Sequence, residues 1–392
     1  MLRSYFLSIA IGLWSSTFLI AQHPSSDLAP TTRAQSRVAA TTLLSEVTTA
    51  VKTAIDSGNT PGVVVQIGRG DKTMLCQAWG ERSIEPRRLP MQKLTRFDCA
   101  SLTKPVATAT SVLKLVEAGR VSLDDPVVKY LPELSSHGKD RITVRQLMQH
   151  RAGLIADNPL SDYKDGTKIA WERICALHLK SIPGAKVVYS DVGYIVLGML
   201  VERVDGRTLD RYSTEEIFAP LGMTNTGFLP APPLYAECAA TEKRDGEMLQ
   251  GRVHDPRAHL LGGVAGHAGL FSTADDLAVW CRMILGKGAV ADVRVLKPEV
   301  AELFLKEVAL EDGSVKRTIA LDADPKNAAR GDLFSAGKSF GHTGFTGTSL
   351  WLDPATKGYV VVLSSRLHPD GKGDAKELRR SVANAAAAAI GR

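Results

Sequence analysis

Apolar residues recur at helical spacing early in the chain, at Val38, Leu43, Leu44, Val47, Val51 and Ile55. They predict a helix over 36–57 that ends at the Asn-Thr-Pro-Gly turn of 59–62. The following stretch, VVVQIGRGDKTMLCQAWG (63–80), reads as two strands turning at Gly-Asp, a hairpin. Residues 101–118 return to a helical pattern with Gly119 as its C-terminal cap. From 140 to 300, short helical patches alternate with Gly/Pro loops. Thr143 is the expected cap of one patch, and Ser272 with Asp275 forms a capping-box pattern for another. VGYIVLGMLVERV (192–204) is apolar nearly all round, which predicts a buried helix too short to span a bilayer. A further hairpin is expected around Arg244-Asp245-Gly246. A last strand pair, GTSLWLDPATKGYVVVLSS (347–365), precedes an Ala-rich helix over roughly 374–390. Strands therefore lie at both ends and helices between them. The pattern predicts an α/β (α+β) fold: one antiparallel sheet of N- and C-terminal strands, flanking helices, and an inserted, mainly helical lobe. A cleft between sheet and lobe is the expected place for a site.

The first residues differ in kind. A weakly positive start, Met1-Leu2-Arg3, leads into an apolar stretch from Tyr5 to Ile20 and then Ala21-Gln22. This reads as a signal peptide over 1–21 and predicts export to the periplasm or beyond. No Cys follows closely enough for a lipid anchor. Residues 22–35, rich in Ser, Thr, Pro and Ala, read as a linker, and 36–392 as the folded domain. The net charge of +6 is spread without blocks, so nucleic-acid binding gains no support. Five isolated cysteines, with no CxxC pair, imply neither a disulfide framework nor a zinc site. His254, Asp255, His259 and His267 match no standard zinc spacing, so neither a metal nor another cofactor is expected.

Ser-x-x-Lys occurs five times, beginning at Ser101, Ser111, Ser136, Ser161 and Ser335. Ser111 lies inside a helix. Ser136 and Ser161 fall in polar loops whose lysines, Lys139 and Lys164, are expected in solvent. Ser101 alone follows an apolar approach and opens an apolar helix. The spacing puts Lys104 one turn up on the same face. Free N–H groups and the positive dipole end lie there as well. A serine hydroxyl becomes a nucleophile when a base takes its proton, and a partly buried lysine can serve. The same residues also suit a capping serine followed by a surface lysine.

Two later elements decide between these readings. VVYSDVGY contains Tyr189-Ser190-Asp191, and FGHTGFTG contains His342-Thr343-Gly344. Order and context resemble the SxxK, SDN and KTG signature of penicillin-recognising enzymes. Together with HRAGL (150–154) and GGVAGHAGLFSTADDLA, they resemble the class C β-lactamase and penicillin-binding-protein-like serine hydrolases, which carry Tyr-x-Asn at the second element. The resemblance implies an acylated nucleophile at Ser101, a proton acceptor at Lys104 and a second acid/base at Tyr189. It places Asp191, His342, Thr343 and Gly344 at the substrate. It forms the oxyanion hole from the N–H groups of Ser101 and the strand near Phe345. Two positions depart from the family. Asp191 stands where the family has Asn and can hold Lys104 charged, shifting proton transfer to Tyr189. His342 stands where the family has Lys and is a cation only part of the time near neutral pH. The second change points away from strong β-lactamase activity and toward esters, other amides or small D-amino peptides. The expected partner is a small-molecule or peptide substrate, including cell-wall fragments. A carboxylesterase of the same fold and a binder that acylates without turnover are the alternatives.

Overall fold

The computed structural model describes Met1 and residues 30–308, 317–324, 326–335 and 338–391. The expected signal peptide lies outside the described residues. The chain divides into two units, Met1–Val38 and Ala39–Arg392, and the sheet, the lobe and the cleft all belong to the second. Helix α1 (Pro30–Asp56) starts six residues earlier than the pattern predicts, so 30–35 are helical where composition predicts a linker.

Among the described residues the central sheet has six strands. β1 (Gly62–Arg69), β2 (Lys72–Ser83) and β3 (Leu89–Pro90) come from the first part of the chain. β4 (Phe340–Thr343), β5 (Ser349–Asp353) and β6 (Gly358–Ser364) come from the last. Their order is β4-β5-β6-β1-β2-β3, and all neighbours pair antiparallel. The junction is β1 on β6, with Val63 opposite Ser364 and Ile67 opposite Val360. The chain's two ends thus share one sheet, as the hydrophobic pattern predicts.

Alternation sets the layers. Val63, Val65 and Ile67 face Leu43, Val47 and Val51 of α1 and Leu378 and Val382 of the C-terminal helix (Lys376–Ile390). Val64, Leu350, Leu352, Val361 and Leu363 face the other way, into the core shared with the lobe. β1 is buried on both sides, which explains its unbroken apolar run. The lobe, mainly 100–301, packs around helix α2 (Thr110–Glu117) and helix α3 (Asp191–Asp205). Fully buried Val192, Leu197, Leu200 and Val201 fill its centre. Among the described residues no helix is long and apolar enough to cross a membrane.

Local differences from the sequence reading have physical causes. Residues 101–118 do not form one helix. A 3₁₀ turn (Ala100–Leu102) leads into a wide π-helical turn (Lys104–Ala109) and then α2. Pro105 has no N–H to donate to the preceding turn, and its carbonyl is taken instead by Thr110 Oγ1 at 2.8 Å. The 274–285 helix is capped by Thr273, whose side chain accepts from Asp276 N, and not by Ser272. Ser272 sits in a strand and bonds Thr226 Oγ1 at 2.7 Å. Thr143 caps as expected, with a full capping box to Gln146. Lys139, expected in solvent, is 1% exposed and donates to the Leu177 carbonyl at 2.6 Å.

Candidate functional site

The short strand Phe97–Asp98 pairs with residues 271–272 and delivers the chain to Ser101 through a strained turn. Ala100 has φ +45°, a left-handed conformation that is unusual for a residue with a Cβ. Asp98 fixes that turn. Its Oδ1 accepts from Ala100 N at 2.8 Å, its Oδ2 from His254 N at 2.6 Å, and its carbonyl from Thr346 Oγ1 at 2.7 Å. The sheet presses against the same turn from the other side. A Cβ on Gly344 would lie 2.5 Å from the Cys99 carbonyl, so glycine is required where the end of β4 meets the approach to Ser101.

Lys104 is completely buried. Its Nζ donates to Ser101 Oγ at 3.0 Å and to the His267 carbonyl at 3.0 Å, and it forms an ion pair with Asp191 Oδ1 at 2.6 Å. It also lies 4.9 Å from the centre of the Tyr189 ring. Burial works against its charge, but Tyr189 and Asp191 outweigh that and hold its pKa above the ordinary lysine range. Lys104 is therefore an ammonium at neutral pH. Asp191 is presented by the first residue of α3, beside Ser190, whose hydroxyl caps that helix through Gly193 N at 3.0 Å.

Ser101, Tyr189, His342, Thr343, Gly344 and Phe345 line one cleft of about 620 Å³. Asp191 is not part of that lining, because its carboxylate is engaged by Lys104 behind the serine. His342 is where the expectation fails most clearly. It is 4% exposed, and its Nδ1 bonds the Thr343 carbonyl at 2.9 Å. Burial first, then the cations Arg317 and Lys104, push its pKa well below the ordinary histidine value. It is neutral at physiological pH and cannot supply part-time positive charge.

Three groups stand at the site in places that the sequence does not assign to them. Arg317 lines the cleft, is 8% exposed, and its Nε and Nη2 have no hydrogen-bond partner among the described residues. His150 lies under the Tyr189 ring, with centroids 4.3 Å apart and planes at 29°. His267, whose carbonyl holds Lys104, bonds Asp255 Oδ1 through Nε2 at 2.9 Å. Asp191, Asp255 and His267 bring potential ligand atoms within 4.8 Å of one another. The Lys104 ammonium already provides a cation at this cluster, so its donor set reads as counter-charge for the lysine. Asp255 is held well below the usual carboxylate range: burial would raise it, but His267, Ala258 N and Lys104 together override that. Glycine spacing in GGVAGHAGL and the repeated Asp/His pattern are the visible signals for His267. Arg317 has none.

Neutral burial of His150 and His342 has a consequence for stability. Both have folded pKa values well below 6.5, with desolvation the leading cause. As pH falls below the unfolded value of about 6.5, the unfolded chain gains protons that the native protein does not. Stability therefore falls by up to about 1.4 kcal/mol per pH unit for each histidine. Thermal melts at pH 7 and 5.5 should show this drop, and His342→Asn should lose less between the two. An equal drop in wild type and variant would mean that His342 titrates normally.

Residues 47–385 match the family model described as Beta-lactamase. A protein of Escherichia coli (strain K12), provisionally named a D-alanyl-D-alanine carboxypeptidase, is 32% identical over 343 residues, 79% of each chain. An N-acetylmuramyl-L-alanine amidase of Bacillus subtilis (strain 168) is 33% identical over 352 residues, covering 79% of this chain and 78% of the relative. Among solved structures, EstCE1, a hydrolase with promiscuous acyltransferase activity, has a TM-score of 0.72 at 24% identity, covering 89% of this chain and all of its own. A class C β-lactamase has a TM-score of 0.72 at 20% identity, covering 88% of this chain and 96% of its own. At these identities the structural likenesses establish the fold.

Proposed function

The chain belongs to the β-lactamase family of serine hydrolases, and on that premise we propose that it cleaves amide or ester bonds through an acyl-enzyme on Ser101. The observation that carries this reading is the buried Lys104 ammonium, 3.0 Å from Ser101 Oγ at the head of a helix and inside a substrate-sized cleft. Lys104, fixed by Asp191, acts as a stationary charge. Tyr189 relays the proton: its Oη takes the Ser101 hydroxyl proton while its own proton passes to the departing nitrogen or oxygen. Ser101 Oγ forms the acyl bond as the leaving-group bond breaks. Water then enters by the same relay in reverse. The N–H groups of Ser101 and Phe345 are the proposed donors to the oxyanion, a role worth roughly 3–4 kcal/mol for one donor at the transition state.

Substrate charge is assigned to Arg317 and not to His342. Among the described residues, five cationic side chains, Arg317, Arg366, Lys372, Lys376 and Arg379, line the cleft against two carboxylates, Asp322 and Asp374. Among these cations Arg317 and Arg379 have buried N–H groups without a partner among the described residues; Arg317 has two, Nε and Nη2, whereas Arg379 has Nε alone and commits its Nη2 to the Gly344 and Thr348 carbonyls. That supports a substrate with a carboxylate near the scissile bond, in line with two relatives whose names speak of bonds to alanine. A short peptide ending in D-alanine fits. A second reading, an esterase, is favoured by the permanent charge on Lys104, since a weak base suits good leaving groups.

Arg317→Ala separates these readings. A charge-assisted hydrogen bond contributes about 1.5–3 kcal/mol. Hence kcat/KM for a D-alanyl peptide or another carboxylate-bearing substrate should fall roughly 10- to 100-fold. A neutral p-nitrophenyl ester should be nearly unaffected. Equal losses on both substrates would remove Arg317 from carboxylate recognition, and activity confined to the ester would favour the second reading.

A further inference from the structure

His150 holds the tyrosine segment from three directions. Its carbonyl accepts from Val188 N at 2.8 Å, its Nδ1 accepts from Ser190 N at 3.0 Å, and its ring lies against Tyr189. The residues bonded are the two neighbours of Tyr189 in the chain, and the third contact is Tyr189 itself. Accepting at Nδ1 leaves the ring proton on Nε2. That nitrogen is buried and has no partner among the described residues. A histidine kept only to satisfy the core would be expected to use both nitrogens. This one is aligned for the Tyr189 segment at the expense of its far side.

The backbone points the same way. His150 has φ +57°, where the chain leaves the short helix 144–148. Glycine or asparagine is the usual residue in that conformation. The fold tolerates a strained histidine there, and strain of this kind is retained where the side chain has a task. The Tyr189 ring needs such a support. It is 40% exposed, and a tyrosine on a loop at a cleft mouth would otherwise sample several rotamers.

We propose that His150 is a positioning residue that fixes Tyr189 in the orientation needed for proton relay between Ser101 and the leaving group. The inference rests on the relay role given to Tyr189 above. His150 itself is buried and is not among the residues that line the cleft. It acts by locking the main chain on both sides of Tyr189 and by presenting a flat surface to one face of its ring.

A double-mutant cycle on p-nitrophenyl acetate tests this. His150→Ala should lower kcat by about 10²-fold, within the range for a mispositioned acid or base, while KM changes by less than about twofold. In the Tyr189→Phe background the same change should cost less than about threefold, because the group being positioned is gone. His150→Asn tolerates the backbone conformation and keeps an acceptor for Ser190 N. It should lose about tenfold in kcat, again only when Tyr189 is present, and it carries the test if the Ala variant does not fold. A loss of the same factor in both backgrounds, or one expressed in KM, would overturn the inference while leaving Tyr189 in place. Near-full activity of Tyr189→Phe alone would remove the relay role, and the inference with it.

Discussion

Ser101→Ala is expected to abolish hydrolysis and labelling by a fluorophosphonate, and to leave the protein folded. Ser101 Oγ is the oxygen that lies against Lys104 at the head of the helix and opens onto the cleft. Loss of a nucleophile that forms a covalent intermediate removes the pathway itself, so the residual rate reflects only binding and oxyanion stabilisation. Stability should change little. Lys104 keeps the His267 carbonyl and Asp191 when the hydroxyl is lost. Labelling of the variant at the wild-type rate would assign the nucleophile elsewhere.

Lys104→Met is expected to reduce both activity and stability, by separable routes. The ammonium is fully buried and paired with Asp191, whose side chain retains 19% exposure. Removing one partner of a buried ion pair leaves an uncompensated charge, which typically costs about 3–5 kcal/mol. The residual exposure of Asp191 puts the expected loss at the lower end, about 3 kcal/mol. Activity should fall roughly 10²–10⁴-fold as the fixed charge beside Ser101 and Tyr189 is lost. Lys104→Met/Asp191→Asn should recover most of the stability, because no orphan carboxylate remains, and none of the activity. Recovery of activity in the double variant would show that Lys104 serves the fold and not the chemistry. Urea unfolding paired with steady-state kinetics on a neutral ester measures both quantities.

The contrast between what can and cannot be read in the chain comes from range. The Gly70-Asp71 hairpin, the Thr143 cap and the buried run at 192–204 depend on neighbours within a few residues, and each is legible. The pairing of β1 with β6 joins positions about 300 residues apart, yet it is inferable because the longest apolar strand patterns lie at the chain's ends. Burial of a charge is different. Lys139 and Lys104 carry the same side chain and the same SxxK spacing, and both are buried. One meets a backbone carbonyl, and the other a serine, a carboxylate and a tyrosine. The flanking residues distinguish the apolar helix start at Ser101 from the polar loop at Ser136, but they do not report that both lysines are buried. The position of His342 in its motif suggests a lysine's task, and hence a part-time cation. The structure keeps it neutral through burial and two nearby cations. Arg317, which forms isolated bridges with Val308 and Asp322, has no local pattern to mark it.

Tyr189 and His150 show the same limit at closer range. The YSD triplet is legible as a motif, and HRAGL as a turn, but their contact spans 39 residues of lobe and depends on a left-handed backbone at a non-glycine position. Sequence periodicity does not report such a conformation.

The most direct test of the central claim is intact-protein and peptide mass spectrometry on enzyme quenched in acid during turnover. The substrates are a neutral p-nitrophenyl ester and a carboxylate-bearing β-lactam. An adduct of the acyl mass is expected on the peptide containing Ser101, formed in the burst phase and absent from Ser101→Ala. Burst-phase turnover by the wild-type enzyme without any adduct, or an adduct on another residue, would contradict that claim.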